Sequence, residues 1–372
     1  MHLRNAAVLL GLGAVALIGW RVIQPSLNEA SQINMSDAGE KGIIHIGIDS
    51  WIGYFPLCSP VMKRQLRDQG YGLKCTDDQA NYSARFKALS NNTYDYAVAT
   101  VDSYLLNAKH SQFSGPIIAV IDESKGGDAI VAKASVANSI DALKKATNYT
   151  LAYTPDSPSH HLIKAVSSHF DVPLFKQTTL HKHTQGAEQA LNYLLKGDAD
   201  VAVLWEPELS KALQNNDFVR LLGTEATQDL IVDILIASQD TIKNGKEKTQ
   251  HLLKAYFTTL KYYRSNKNAF INDIKRHYKI KENVAKTMLS GVSWATLYDN
   301  AHRWFGITSS TTSSEAIIHT LNSASHILVD NNDFKASPIP QGDPYRLINS
   351  SIIKKLYSDY DINHDSNTQD KN

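Results

Sequence analysis

A pattern of helix end, polar turn, acidic residue and apolar strand occurs twice in this chain, at residues 87–99 and 192–204. The helix before the second copy places five small or apolar residues on one face: Ala187, Ala190, Leu191, Leu194 and Leu195. That spacing is typical of an amphipathic helix packed on a core. The apolar run at 43–48 favours a strand buried on both faces. Strands alternating with helices indicate parallel sheets, so the repetition predicts two similar α/β units.

The order of these elements divides the chain into five parts. The apolar run at 230–237 comes too late for the second unit to need it, so we expect it to return to the first. We predict a signal peptide or membrane anchor (1–23), a tether (24–42), a first lobe (43–130 plus 232–360), a second lobe (131–231) and a disordered tail (361–372).

The N-terminus indicates export from the cytoplasm. His2 and Arg4 precede an apolar run at 6–20 that Arg21 ends. This pattern fits either a secretory signal or a short membrane anchor. Because no small-x-small cleavage site follows at a convincing distance, we favour an uncleaved anchor. The rest of the chain is then expected in a bacterial periplasm, with its N-terminus in the inner membrane if it is not cleaved.

Cysteine, histidine and charge narrow the chemistry. Cys58 and Cys75 are the two cysteines, and an oxidising compartment would allow them to pair; two unpaired buried thiols are the alternative. The 14 histidines are scattered without zinc-site spacing, so we expect no metal and no cofactor. A net charge of +1 gives no reason to expect a nucleic-acid partner.

A helix start at residues 157–160 predicts a small anion site. Ser157 suits an N-cap and Pro158 the first helical position. The amides of Ser159 and His160 would then lack intrahelical partners, close to the positive end of the helix dipole. An ordinary capped helix that binds nothing is the alternative.

Other candidate ligand-binding residues follow the predicted strands, because parallel α/β sheets bind ligands beyond the carboxyl ends of their strands. The full set is Ser50, Trp51, Tyr54, Tyr82, Ser83, Asp102, Asp128, Ser157, Ser159, His160, Trp205 and Glu206. Several have simpler explanations. The two aromatics of the first loop would suit packing, Asp102 an N-cap, Asp128 a turn and Glu206 a helix start.

Four ordered motifs resemble one protein family. They are residues 48–54 (Ile-Asp-Ser-Trp-Ile-Gly-Tyr), 126–133 (Gly-Gly-Asp-Ala-Ile-Val-Ala-Lys), 157–160 (Ser-Pro-Ser-His) and 205–207 (Trp-Glu-Pro). This set is similar to that of the solute-binding proteins of ABC importers for nitrate, taurine, alkanesulfonates and thiamine precursors. The resemblance spans about residues 43–305. It implies a type II periplasmic-binding-protein fold, with two α/β lobes joined by two crossing strands that close on a ligand. The resemblance also implies that seven residues contact the ligand: Trp51, Tyr54, Ser157, Ser159, His160, Trp205 and Glu206.

These expectations give a functional hypothesis. We expect a monomeric binding protein, not an enzyme, that passes a small organic anion or zwitterion to an inner-membrane ABC permease. Asp128 and Glu206 would hold a cationic group and repel a simple anion such as nitrate. A membrane-anchored sensor or adaptor is the alternative. An enzyme of pyrimidine-precursor synthesis fits less well, because it would need clustered cysteines.

Overall fold

The structure is a computed structural model of the 372-residue chain and describes residues 40–108, 113–146, 148–170, 172–308 and 314–359. The predicted anchor, most of the predicted tether and the predicted tail lie outside the described residues. Within those residues, no helix combines the length and the apolar character needed to span a membrane.

The described residues contain eleven strands. They are β1 (Ile43–Ile48), β2 (Gly72–Asp77), β3 (Tyr96–Thr100), β4 (Ile117–Ser124), β5 (Asp128–Lys133), β6 (Leu151–Tyr153), β7 (His181–His183), β8 (Val201–Trp205), β9 (Phe218–Gly223), β10 (Val232–Ala237) and β11 (Val292–Trp294).

Helices connect and cover these strands. They are α1 (Phe55–Cys58), α2 (Pro60–Arg67), α3 (Tyr82–Ser90), α4 (Val101–Ala108), α5 (Ile140–Leu143), α6 (Pro158–His169), α7 (Pro173–Lys176), α8 (Gly186–Lys196), α9 (Glu208–Ala212), α10 (Gln239–Asn244), α11 (Lys246–Ser265), α12 (Lys267–Tyr278), α13 (Glu282–Ser290), α14 (Leu297–Asp299), α15 (Ala316–Asp330) and a helix at 351–359.

The strands form two separate sheets. A six-stranded sheet has the order β11-β4-β10-β3-β1-β2, and a five-stranded sheet has the order β7-β6-β8-β5-β9. We call each sheet with the helices packed on it a lobe, lobe 1 and lobe 2 respectively. Ile44 and Ile46 of β1 are fully buried, as expected for a strand covered on both faces.

Two crossings connect the lobes. Residues 125–127 lead from β4 into β5, and residues 224–231 lead from β9 back to β10. The run at 230–237, which we expect to return to the first unit, supplies β10, and β10 lies between β3 and β4 in the six-stranded sheet. Gly127 of the first crossing packs so closely against Trp51 that a Cβ there would lie 2.3 Å from its ring.

Both sheets are mixed, which corrects the expectation of parallel sheets. Parallel pairing is confined to β1 with β2 and β3, and to β6 with β7 and β8. The crossings explain the difference. Because β5 and β10 enter their sheets after the chain has changed lobes, each runs antiparallel to both of its neighbours.

The repeated pattern has the same place in both lobes. The first copy ends in β3, between parallel β1 and antiparallel β10, and the second ends in β8, between parallel β6 and antiparallel β5. The helix of the second copy ends at Gly197, whose φ of 79° is the left-handed conformation that glycine adopts without strain. The sequence repetition therefore corresponds to a structural one.

The two cysteines are joined in a disulfide. It links the last residue of α1, Cys58, to Cys75 in β2, with the Cα atoms 6.2 Å apart. Cys75 lies opposite Ile46 of β1. The bond therefore ties the first loop, which carries Trp51 and Tyr54, to the edge strand of lobe 1.

Replacing both cysteines, as Cys58→Ser with Cys75→Ser, should lower the free energy of unfolding by about 3 kcal/mol. The bond closes a loop with a sequence separation of 17, and removing it returns entropy to the unfolded chain. Urea denaturation followed by circular dichroism measures the loss. The wild-type protein in a reducing agent should lose the same amount. Equal stability of the variant and the oxidised wild type would contradict this expectation.

Candidate ligand site between the lobes

A small cavity lies where the two lobes meet. Its free volume is about 10 Å³, roughly the space of one water molecule. The lining residues are Asp49, Trp51, Tyr54, Tyr82, Thr100, Asp128, Pro158, Trp205, Ile231 and Asp233. Both lobes and a crossing contribute to this set, so movement of one lobe relative to the other would open or close the cavity.

The topology explains why these residues meet. Thr100 and Trp205 are the last residues of β3 and β8, and Asp49 directly follows β1. Asp128 and Asp233 lie instead at the beginning of β5 and β10. Because β5 and β10 are antiparallel to their neighbours, each begins on the side of its sheet where the neighbouring parallel strands end.

Five of the twelve predicted site residues line the cavity. They are Trp51, Tyr54, Tyr82, Asp128 and Trp205. The other seven are outside the lining: Ser50, Ser83, Asp102, Ser157, Ser159, His160 and Glu206. Of these, Ser83 is exposed on α3, and the Ser50 carbonyl accepts a hydrogen bond from Tyr278 at 3.5 Å.

The first loop is held by buried acids of lobe 1. The Trp51 backbone amide donates to Asp49 at 3.0 Å, and its indole Nε1 donates to Asp122 at 3.2 Å. The Tyr54 hydroxyl donates to Asp233. Both aromatic side chains are therefore fixed by hydrogen bonds as well as by packing, and their orientation towards the cavity is set before any ligand arrives.

Asp49 belongs to a buried ion-pair network. Arg85, which is fully buried on α3, donates to Asp49 at 3.0 Å and to Asp78 at 2.5 Å. The Tyr82 hydroxyl also donates to Asp49, at 3.3 Å, and the Arg85 guanidinium lies 4.7 Å from the centre of the Tyr82 ring. Arg85 therefore balances the charge of Asp49 from behind the cavity wall.

The helix start at 157–160 differs from the expected anion site. The Ser157 hydroxyl does not cap α6; it donates to the carbonyl of Thr154 at 2.6 Å. The Ser159 hydroxyl donates to the carbonyl of Val203 in β8 at 3.2 Å. These bonds use both hydroxyl protons within lobe 2. Of the motif at 157–160, Pro158 alone is in the cavity lining.

His160 packs beside this helix start, outside the cavity lining. Its ring lies 4.9 Å from the centre of the Tyr153 ring. Burial, followed by nearby Lys164, lowers the pKa of His160 to about 3. The imidazole is therefore neutral at physiological pH and adds no positive charge for an anion.

Glu206 and Asp102 lie behind the cavity wall. The Glu206 carboxylate accepts hydrogen bonds from the backbone amide and hydroxyl of Ser210, at 3.0 and 2.7 Å, and so serves the start of α9, the simpler of its two explanations. Asp102 lies in the first turn of α4 and does not precede the helix as an N-cap would. One of its buried carboxylate oxygens lacks a hydrogen-bond partner in the described structure.

Burial makes several of these acids hard to ionise. It raises the pKa of Asp128 to about 7, with an added effect from neighbouring Asp102, and the pKa of Glu206 to about 7. Burial also raises the pKa of Asp122 to about 8, and the pKa of Asp233 lies well above its usual range because of burial and the charge of Asp122. Carboxyl groups are thus concentrated in and around the cavity, in a medium that stabilises charge poorly.

Two lining acids are missing from the sequence-based set. Asp49 belongs to the motif at 48–54, from which the predicted ligand-binding set includes Ser50, Trp51 and Tyr54 but not Asp49. Asp233 interrupts the apolar run at 230–237, and a carboxylate inside a buried strand is a sign of function that a sequence can give. Thr100 and Ile231 are also missing from the set. Neither is a charged residue within an apolar strand, so neither carries this signal.

In the part of the chain that the structure describes, no group of three or more His, Cys, Asp or Glu side chains is arranged to hold a metal ion.

Comparison with known proteins identifies the fold. No protein-family model and no curated protein matches the sequence. The alkanesulfonate-binding protein SsuA from Xanthomonas axonopodis pv. citri, bound to MOPS, is similar with a TM-score of 0.63 and 12% identity, over 80% of this chain and 96% of that one. The periplasmic aliphatic sulphonate binding protein SsuA from Escherichia coli has a TM-score of 0.58 and 14% identity, over 79% and 89%.

An enzyme has a similar structure. The desulfurization enzyme DSZB matches with a TM-score of 0.57 and 8% identity, over 86% of this chain and 99% of that one. At these identities the likeness establishes the fold alone. This chain has the periplasmic-binding-protein fold, with two α/β lobes joined by two crossings, as the resemblance of its four motifs implies.

The substitution Asp128→Asn should stabilise the protein more at pH 8 than at pH 5. Between about pH 4 and pH 7 the folded wild type keeps a proton on Asp128 that the unfolded chain releases, so the wild type loses stability as the pH rises through this window. Asparagine has no such proton, so the gain of the variant over the wild type should grow by about 2–4 kcal/mol.

Urea denaturation at pH 5, 6, 7 and 8 tests this prediction. Asp141→Asn is the matched control, because Asp141 is exposed and its ion pair with Lys144 lowers its pKa. The control should differ from the wild type by a constant amount over this range. Parallel curves for Asp128→Asn and the wild type would contradict the burial of an ionisable group at this position.

Proposed function

We propose that this protein is an extracytoplasmic solute-binding protein that closes on a small organic molecule and delivers it to an ABC importer. One observation carries the proposal. A single cavity is lined by residues of both lobes and of one crossing, and it lies where the strands of the two sheets end. A site divided between two lobes in this way suits capture by hinged closure. The likeness to sulfonate-binding proteins adds support from the fold.

Polar contacts between the lobes would hold the closed state. The Ile52 amide donates to the Glu206 carbonyl at 3.3 Å, and the Ser103 hydroxyl donates to the Asp156 carbonyl at 3.0 Å. Closure excludes water from the cavity, so hydrogen bonds to a ligand strengthen in the lower dielectric. The ligand favours closure only through contacts that the open state lacks.

The finer points of the proposal concern place, partner and ligand. The N-terminal apolar run supports a periplasmic protein, either free or anchored in the inner membrane, and the disulfide fits an oxidising compartment. The partner would be an inner-membrane ABC permease of the nitrate, taurine, alkanesulfonate or thiamine-precursor group. We expect a monomer that binds an organic anion or zwitterion in preference to an inorganic ion.

Ligand extraction and small-angle scattering test the proposed function together. Mass spectrometry of the denatured, freshly purified protein should identify a co-purified small molecule. Adding that molecule to ligand-free protein should reduce the radius of gyration, and the molecule should be recovered unchanged. Chemical conversion of the molecule would favour an enzymatic function, since one protein of similar structure is an enzyme. Binding without any change in radius would contradict hinged closure.

Breaking the ion pair between Lys164 of α6 and Asp333 should shift the protein towards the open state. Their charged groups are 2.8 Å apart, and the two side chains are 6% and 18% exposed. Asp333 follows α15, which packs against α4 of lobe 1, so this pair bridges the lobes. Lys164→Met should increase the radius of gyration of the ligand-free protein and weaken ligand binding about tenfold, since it leaves a mostly buried carboxylate unpaired.

Lys133→Met is the matched control for this prediction. Lys133 forms an ion pair of the same length, 2.8 Å, with Asp200, but both residues belong to lobe 2. Loss of this pair should leave the radius of gyration and the affinity within about twofold of the wild type, as a partly exposed pair contributes little. Similar behaviour of the two variants would show that the bridge between the lobes has no special role in closure.

A further inference from the structure

We propose that the cavity recognises a protonated amine, so that the solute is a small organic ammonium compound whose N–H groups bind Asp128 and Asp233. This inference rests on the proposed function, because it names the chemical class of solute for the same site. It replaces the anionic head group expected from the helix start at 157–160 with a cationic one.

The charges of the lining support a cation. Three of its ten residues are aspartates, and of the described residues that form it none is Lys, Arg or His. Arg85 balances Asp49, but it also binds Asp78, so its single charge is shared between two acids. In the described part of the chain, no ion pair is formed by Asp128 or Asp233. A ligand that brings a positive charge would favour the ionised form of these acids, which burial alone disfavours.

The hydrogen bonds show which kind of cation fits. Asp128 is 1% exposed and lines the cavity, and its oxygen Oδ1 has no hydrogen-bond partner within the described ranges. A buried carboxylate oxygen needs a donor, which an N–H group supplies and a quaternary ammonium group cannot. The hydroxyls of Tyr54 and Tyr82 already donate to Asp233 and Asp49, so their protons are not available to an anion. The buried indole N–H of Trp205 has no acceptor within the described ranges, so the solute can carry an acceptor atom beside its amine.

The aromatic lining favours the same class. Trp51, Tyr54, Tyr82 and Trp205 border the cavity, and all four are buried. Aromatic faces carry negative charge density that attracts organic cations, and the attraction strengthens when water is excluded. The rings would also cover a short apolar part of the solute. A sulfonate or nitrate would meet no cationic side chain among the described lining residues, and any ionised acid there would repel it.

Three small probes that differ in charge or in N–H donors test the inference. Ethylammonium, tetramethylammonium and ethanesulfonate are titrated into ligand-free protein at pH 7.5 and constant ionic strength, with binding followed by calorimetry and by the shift in Tm. We expect ethylammonium to bind at least tenfold more tightly than ethanesulfonate. Tetramethylammonium should bind more weakly than ethylammonium because it has no N–H donor for Asp128.

Two variants and a control connect the binding to the named acids. Asp128→Asn should weaken ethylammonium binding at least tenfold without loss of thermal stability. Asp233→Asn provides a second test if the first variant folds poorly. The exposed control, Asp141→Asn, should bind as the wild type does. If Asp128 had only a structural role, Asp128→Asn would change the affinities for ethylammonium and ethanesulfonate by the same factor.

The outcomes separate this inference from the proposed function. Tighter binding of ethanesulfonate, equal binding of all three probes, or no binding of ethylammonium would overturn the amine assignment. A co-purified ligand without a basic nitrogen would do the same. In each of these cases ligand-induced contraction of the protein would still support hinged capture, whereas absence of any contraction with a bound ligand would overturn the proposed function itself.

Discussion

The burial of carboxylates at the meeting edge of the two lobes constrains everything else about this site. A carboxylate removed from water needs a partner, because the protein interior stabilises an isolated charge poorly. Asp49 has Arg85 and Asp233 has the Tyr54 hydroxyl, whereas Asp128 keeps one oxygen without a partner in the described structure. Among the described lining residues, the Asp128 oxygen lacks a donor and the Trp205 indole N–H lacks an acceptor, and a solute in the cavity could satisfy both.

The chain topology creates this arrangement. If all strands of each sheet were parallel, the residues at the cavity edge would come from strand ends and the loops after them. The crossings reverse β5 and β10, so Asp128, the first residue of β5, and Asp233, the second residue of β10, lie where the parallel strands end. The crossings that allow hinged motion therefore also deliver two of the acids that the motion would bring against a ligand.

Local patterns in the sequence predicted the frame of the fold well. The apolar run at 43–48 is β1, and the repeated pattern ends in β3 and β8, at equivalent places in the two sheets. Hydrophobic periodicity depends on near neighbours, which is why it is visible in one dimension. The antiparallel strands were not anticipated, because pairing direction is decided by where the chain goes after each crossing.

The candidate site was predictable in part for the same reason. Trp51, Tyr54 and Trp205 follow from loop and strand positions. The role of Ser159 was beyond local reasoning, since its hydroxyl proton goes to the carbonyl of Val203, a residue of another strand. Asp233 did carry a signal, a charge within an apolar run. The polar residue within the buried strand β10 lines the cavity, whereas of the helix start at 157–160 only Pro158 does.

Closure and recognition are coupled through desolvation. When the lobes approach, Asp128 and its neighbours lose water, which opposes closure as long as no donor replaces it. A solute that supplies a positive charge and N–H groups removes this penalty, and it gains contacts with Trp51 of lobe 1 and Trp205 of lobe 2 that exist only in the closed state. The acids would then act as the element that keeps an unliganded protein from closing firmly. Closure therefore depends on the ligand, because burying these acids without a partner costs free energy that only a bound solute offsets.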